Sequence, residues 1–217
     1  KELPQYAQNH QLSANYNRPM YCSSEPDSGR LVTTRHGGTL ATVGAGPFTT
    51  RAISLAPLAI TDRRMEYCLQ LAARNMTPYL QQRRQSFDET RWRNFAPQAD
   101  FFLIVCQPTD HAMSAEQTAG FLSVRDEPDC PNALHIGDIQ LEAALCGRGI
   151  GSTALALADA LARDRGRIEL TLNVFRENPA VRLYERCGYQ RIDTDLLSGK
   201  YKMRKTLRGR VTLREIE

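Results

Sequence analysis

The stretch Cys146-Gly147-Arg148-Gly149-Ile150-Gly151-Ser152-Thr153 constrains this chain more than any other. It lies between an apolar run, Leu134 to Leu141, and a helical stripe of Ile150, Ala154, Leu157 and Leu161. A strand must therefore pass straight into an amphipathic helix through three glycines at alternate positions. Glycine lets the backbone come close to a ligand and turn its N–H groups toward it. The helix N-terminus adds unpaired donors and the positive end of a dipole. Such a turn can cradle a pyrophosphate, with the Ser152 and Thr153 hydroxyls as further donors. It is not a P-loop, because the Gly-Lys-Ser/Thr ending is missing, and its third glycine comes too early for a dinucleotide fingerprint. Tight turns also need glycine for their own sake, so the turn alone fixes a shape rather than a chemistry.

The elements around the turn follow from periodicity and breakers. A first strand is predicted over 50–55, ended by Pro57. Thr61 or Asp62 can cap a helix with Met65, Leu69, Ala72 and Met76 on one face, which Pro78 interrupts or restarts. Ser86 and Glu89 resemble a capping box before a short helix holding Trp92 and Phe95. Strands are predicted over 101–106, 120–125 and 134–141, then a helix over 149–165 and a strand over 168–174. A helix over 179–187, with Pro179 in its first turn and Gly188 after its end, precedes closing strands at 189–192 and 201–203. This order gives a mixed α/β (α+β) domain over residues 48–217, with helices covering a central sheet. Residues 1–47 read as an N-terminal extension or arm, with one short strand at Thr39–Val43. Such an arm can pack on the main domain, cover a substrate or reach a partner.

The composition excludes several classes. With 41% hydrophobic and 24% charged residues, the chain reads as an ordinary soluble globular protein. No apolar run approaches the ~20 residues of a membrane helix, and no apolar segment behind Lys1 marks a signal peptide. The 28 basic residues exceed the 24 acidic ones by only four and are mostly scattered, so no nucleic-acid partner is expected. Cys22, Cys68, Cys106, Cys130, Cys146 and Cys187 form no CxxC pair and keep no company with histidine. No metal is therefore expected, and a reducing, cytoplasmic location fits. Cys68, Cys106 and Cys187 read as small core residues.

A second segment, Asn178-Pro179-Ala180-Val181-Arg182-Leu183-Tyr184-Glu185-Arg186-Cys187-Gly188-Tyr189, follows the next strand. Leu183 and Tyr184 face inward on its helix, and Glu185 and Arg186 face water. Together with Gly-Arg-Gly-Ile-Gly at a helix start, this pair resembles the two signature motifs of the GNAT superfamily of N-acetyltransferases. The resemblance follows the element order from about residue 50 to 207, and its specific part is 134–192. It implies a GNAT fold, a twisted mixed central sheet flanked by about four helices, and acetyl-CoA as co-substrate. It also implies that the Leu141 backbone pairs with the pantetheine arm and polarises the thioester carbonyl. Gly147, Arg148, Gly149, Ile150, Gly151 and Ser152 would hold the pyrophosphate, Asn178 would contact the arm, and Tyr184 would protonate the leaving thiolate. The family's first motif opens with Gln or Arg where this chain has Cys146; a cradle built mostly of backbone N–H groups tolerates that change.

The resemblance implies acetyl transfer to a primary amine of a small molecule or peptide, by direct attack in a ternary complex. An ammonium has no lone pair, so a base must take its proton. Asp138, Gln140 and Glu142 alternate with Ile139 and Leu141 and so share one face. In the family this strand borders the acceptor site, which makes Asp138 or Glu142 the candidate base. His10, His36, His111 and His135 show no catalytic spacing, and His135 is expected on the face of Ile139 in a structural role. Tyr79, Arg83, Arg84, Phe87 and Trp92 fall in the region that would line the acceptor site; they suit an amine carrying a carboxylate, or equally serve as ordinary packing and surface. A homodimer is one expected assembly. The alternative is a silent acyl-CoA-binding or sensing module that keeps the fold without turnover.

Overall fold

Alternation and periodicity along the chain become a nine-stranded sheet in the computed structural model, which describes residues 31–33, 39–45, 49–108, 116–127 and 130–207. Among these residues the strands are β1 (Leu31–Thr33), β2 (Thr39–Ala45), β3 (Thr49–Leu58), β4 (Asp100–Pro108), β5 (Gln117–Asp126), β6 (Ala133–Leu141), β7 (Glu169–Phe175), β8 (Gln190–Asp195) and β9 (Lys200–Thr206). Four α-helices accompany them: α1 (Met65–Gln81), α2 (Glu89–Phe95), α3 (Ile150–Asp164) and α4 (Ala180–Arg186). Spatial order is β1-β2-β3-β4-β5-β6-β7-β9-β8. All neighbours are antiparallel except β6 and β7. A parallel pair needs a crossover, and α3 supplies it.

The expected boundary near residue 47 falls between β2 and β3, which pair from Leu40↔Ser54 to Ala45↔Thr49. Residues 1–30, most of the expected arm, lie outside the described residues, as do His10, His36 and His111.

Each face of the sheet carries its own core. Under α3 and α4 lie Ile136, Ile139, Leu141, Leu155, Leu157, Leu172, Leu183 and Tyr184. Under α1 and α2 lie Leu69, Met76, Tyr79, Trp92, Phe101, Phe121 and Phe175. All nine residues of β6 are buried, since it runs through the middle.

Several local expectations change. Pro57 does not end β3, which continues to Leu58 and pairs with β4 there. The β2 register stops at Ser54, so Pro57 occupies an edge on that side, where no ladder donor is needed. Pro78 lies inside α1 and does not break it. Buried Met76, Tyr79 and Leu80 hold this last stretch against the core. The start of α1 is Arg64, and Asp62 instead accepts the Arg64 N–H at 2.8 Å in a turn two residues long. Asp88, not Ser86, caps α2 by accepting the Arg91 N–H at 2.8 Å.

The middle of β6 contains a bulge. Ser123 opposes Asp138 while Val124 opposes Ile136, which leaves Gly137 without an opposite residue. A Cβ on Gly137 would stand 2.8 Å from the Ser123 hydroxyl oxygen. The extra residue shifts the alternation by one. Ile136 and Ile139 therefore both enter the core under α3. His135 is thus on the face opposite Ile139, contrary to the alternation expected from the sequence.

Candidate functional site

The parallel ladder between β6 and β7 runs only from Ala133↔Glu169 to Ile136↔Leu172. Beyond it, residues 137–141 and 173–175 have no mutual register, and the sheet opens. The glycine turn stands at this opening. Gly147 and Gly149 both have φ of 77°, a left-handed conformation that glycine adopts without cost. Gly149 is the N-cap of α3 and has no side chain to satisfy the first turn, so the Ile150, Gly151 and Ser152 N–H groups lack intrahelical acceptors. A narrow pocket lies here, walled by Leu141 and Leu183 and by the turn residues Cys146, Gly147, Gly149, Gly151 and Ser152. Five of the expected cofactor residues thus meet in one place. Arg148 is exposed in the turn, and the Ile150 side chain is 3% exposed and belongs to the core. Asn178 is buried, and its Oδ1 accepts the Ala180 N–H at 2.8 Å, bracing the start of α4.

On the α1 side of the opening, polar groups form a chain. Asn75 Nδ2 donates to Gln140 Oε1 at 3.0 Å and to the Leu141 carbonyl at 3.3 Å. Gln140 Nε2 donates to Asp138 Oδ1 at 3.2 Å. Asp138 is only 5% exposed. Burial pushes its carboxyl up to about 7, while Gln140, the Lys200 ammonium, Trp92 and Ser123 pull it back. A carboxylate poised there can accept a proton near neutral pH. Glu142 shares the strand but is differently engaged, since Arg74 Nη2 donates to its two oxygens at 3.1 and 2.9 Å.

Tyr184 comes to the opening from α4. It is fully buried, and its hydroxyl has no hydrogen-bond partner in the structure. Burial raises its pKa well above the ordinary phenol value, and the charge of Asp138 raises it further. The phenol therefore keeps its proton. A buried hydroxyl with no partner is costly, and a ligand atom in the opening would relieve it.

Lys200, on β9, is 5% exposed and lies with its ammonium 4.7 Å from the Phe175 ring centroid. Nothing in the sequence Gly199-Lys200-Tyr201 marks a buried ammonium. Asn75 left a clearer signal, a polar residue among buried Cys68, Leu71, Ala72 and Met76 on α1. Of the expected acceptor residues, Tyr79 stacks on Phe175 at 6.0 Å, and Arg83 lies 4.1 Å over the same ring while pairing with Glu177 at 2.7 Å. Trp92 packs edge-on against Phe101 in the core under α1 and α2. His135 Nδ1 lies 2.8 Å from Thr171 Oγ1 and 3.0 Å from Glu127 Oε2, and burial pushes the imidazole toward its neutral form. Among the described residues no three His, Cys, Asp or Glu side chains gather as metal ligands, and no helix is long and apolar enough to cross a membrane.

Comparison with known proteins follows the same region. The family model described as Acetyltransferase (GNAT) family matches residues 66–189. An uncharacterized N-acetyltransferase of Bacillus subtilis, YycN, is 34% identical over 90 residues, 41% of this chain and 56% of that protein. The match thus spans little more than half of that relative's length. Among solved structures, the IAA acetyltransferase of Bacillus cereus superposes with a TM-score of 0.53 at 15% identity, over 71% of this chain and 99% of its own. The PaiA N-acetyltransferase of Thermoplasma acidophilum, solved with coenzyme A, gives a TM-score of 0.53 at 18% identity, over 71% and 98%. At these identities the two structures share the fold with this chain.

Proposed function

Because this chain belongs to the GNAT acetyltransferase family, we propose that it moves an acetyl group from acetyl-CoA to a primary amine of a small molecule or peptide, by direct attack in a ternary complex. One observation carries the proposal. A buried phenol without a partner, Tyr184, lies within reach of the charge of a buried carboxylate, Asp138, and its helix neighbour Leu183 lines the pocket of the glycine cradle.

The cradle fits a pyrophosphate. The unpartnered N–H groups of Ile150, Gly151 and Ser152 at the start of α3 can donate to anionic oxygens, helped by the helix dipole. Left-handed Gly147 and Gly149 keep side chains out of the way, and exposed Arg148 adds a positive charge at the rim. Leu141 lines the pocket, where an extended pantetheine arm can lie along β6. Asn178 holds the first turn of α4, and so the helix that presents Tyr184. Acetyl-CoA supplies an activated acyl group on a thiol leaving group.

The protein's own part is then proton management and orientation. Asp138 takes the proton of the acceptor ammonium, directly or through one water, and leaves the nitrogen lone pair free. Tyr184 gives its proton to the departing thiolate. Glu142, held by Arg74, is the less suited of the two carboxylates.

The test is release of CoA thiol from acetyl-CoA with a panel of amines, wild type beside Tyr184→Phe. Amine-dependent release that falls by roughly 10²-fold or more in the variant is the expected result. Binding of acetyl-CoA with no release from any amine would reject catalysis in favour of a silent binding module.

A further inference from the structure

The face of the sheet that carries Asp138 also carries a cation to which the proposed reaction gives no task. Lys200 is buried at the start of β9, directly opposite Phe175 on β7. Met203 enters the core under α3, so alternation places Lys200 on the other face, where Phe175 packs under α1. Past Ile136↔Leu172 the two strands have no mutual register, and the bulge at Gly137 turns Asp138 to the α1 side, the side on which Phe175 packs. The strands β6 and β9 flank β7, so Asp138 and Lys200 look onto one face of the sheet from either side of it. The lysine stem crosses the Phe175 ring, with its ammonium 4.7 Å from the centroid.

The charged neighbours narrow its role. Facing Lys200 are Arg91 of α2 and Arg83 at the end of α1, both positive, and Asp138 and Asp195, both negative. Arg83 is held by Glu177 at 2.7 Å. Asp195 Oδ1 already accepts the N–H groups of Leu197 and Ser198 at 2.9 and 3.1 Å. Facing Asp138 are Gln140, Lys200, Trp92 and Ser123, with Tyr184 across the opening. Among these, Lys200 is the cation. Two buried opposite charges on one face each make the other less costly to keep.

We propose that Lys200 is a positioning residue for acetyl transfer, whose fixed ammonium keeps the Asp138 carboxylate ionised and ready to accept a proton in a site largely closed to water. It acts through Asp138 and does not itself touch the acceptor. Burial pushes Asp138 up to about 7 and Lys200 down to about 8, so each sits where loss of the other's charge shifts its proton occupancy near neutral pH. The inference rests on Asp138 being the base, and its test is separable from turnover.

The experiment is a ¹³C carboxyl NMR titration of the full chain labelled at aspartate, with the Asp138 signal identified by its loss in Asp138→Asn. Lys200→Met should raise the Asp138 midpoint by about one pH unit, a tenfold gain in proton affinity, and Lys200→Arg should restore most of it. An unmoved midpoint in a folded Lys200→Met overturns the proposal, whether or not any amine is acetylated. In the kinetic arm the acidic limb of kcat/KM should move upward with the midpoint. A limb that stays in place while KM for the acceptor rises would assign Lys200 to acceptor binding instead and also overturn it. Absence of turnover with every amine rejects the transferase proposal, and the carboxyl titration still decides the Lys200–Asp138 coupling.

Discussion

Asp138 stands between burial, which disfavours its charge, and four polar neighbours that favour it. The balance has a consequence for stability. Its folded pKa is raised from 3.8 to about 7, so the folded state binds the proton more tightly than the unfolded chain. Stability from this group is therefore present below about pH 4 and lost as pH rises toward 7. Asp138→Asn removes the effect and should be stabilised over wild type by up to roughly 4 kcal/mol at pH 8, with little gain at pH 4. Urea unfolding at the two pH values checks this, and an equal gain at both would contradict it. Acetyl transfer by the same variant should fall at every pH. Asp138 and Tyr184 were legible in the sequence, one from alternation and the other from the second motif. His135 was not, because alternation counts residues and cannot see that Gly137 has no opposite residue. Lys200 was invisible for a different reason: its burial depends on Phe175 and on α1 and α2, which are distant in the chain.

At the scale of elements, β5 and β6 approach each other closely at Gly120. A Cβ on Gly120 would lie 1.9 Å from the Gln140 carbonyl oxygen, and its φ is +157°. Gly120↔Leu141 is the last strand pair before the opening. Gly120→Ala must therefore push β6 away at the level of the pocket. The expected loss is roughly 3 kcal/mol or more, measured by thermal or urea unfolding. Acetyl-CoA affinity should fall as well, because Leu141 would move. A variant as stable as wild type would show that β6 can shift freely there. The elements themselves were largely legible, since apolar runs and helical stripes are local properties. Their ends were less so. Pro57 and Pro78 look like stops from their chemistry alone, but one sits beyond the reach of β2 and the other is held by the burial of Met76, Tyr79 and Leu80.

For the molecule as a whole, the four-residue register between β6 and β7 is the seam between β1–β6 and the unit of β7, α4, β8 and β9. The pocket lies where that seam ends, so a ligand bound there bridges the two sides. Hydrogen exchange should slow on addition of coenzyme A in residues 137–141, 147–152 and 173–175, and change little in β3 and β4. Uniform slowing across the sheet would mean general stabilisation without a bridge. Within that seam Gly137 has an effect that a count of contacts misses. Before it, β6 keeps one parity of side chains toward α1, with His135 on that face; after it the parity is reversed, so that Asp138 and Gln140 follow on the same face. Gly137 is therefore a skipped letter rather than a shift of the reading frame: without it the strand would read in simple alternation, with Ile136, Ile139 and Leu141 in the oil and Asp138 and Gln140 in the polar site as before.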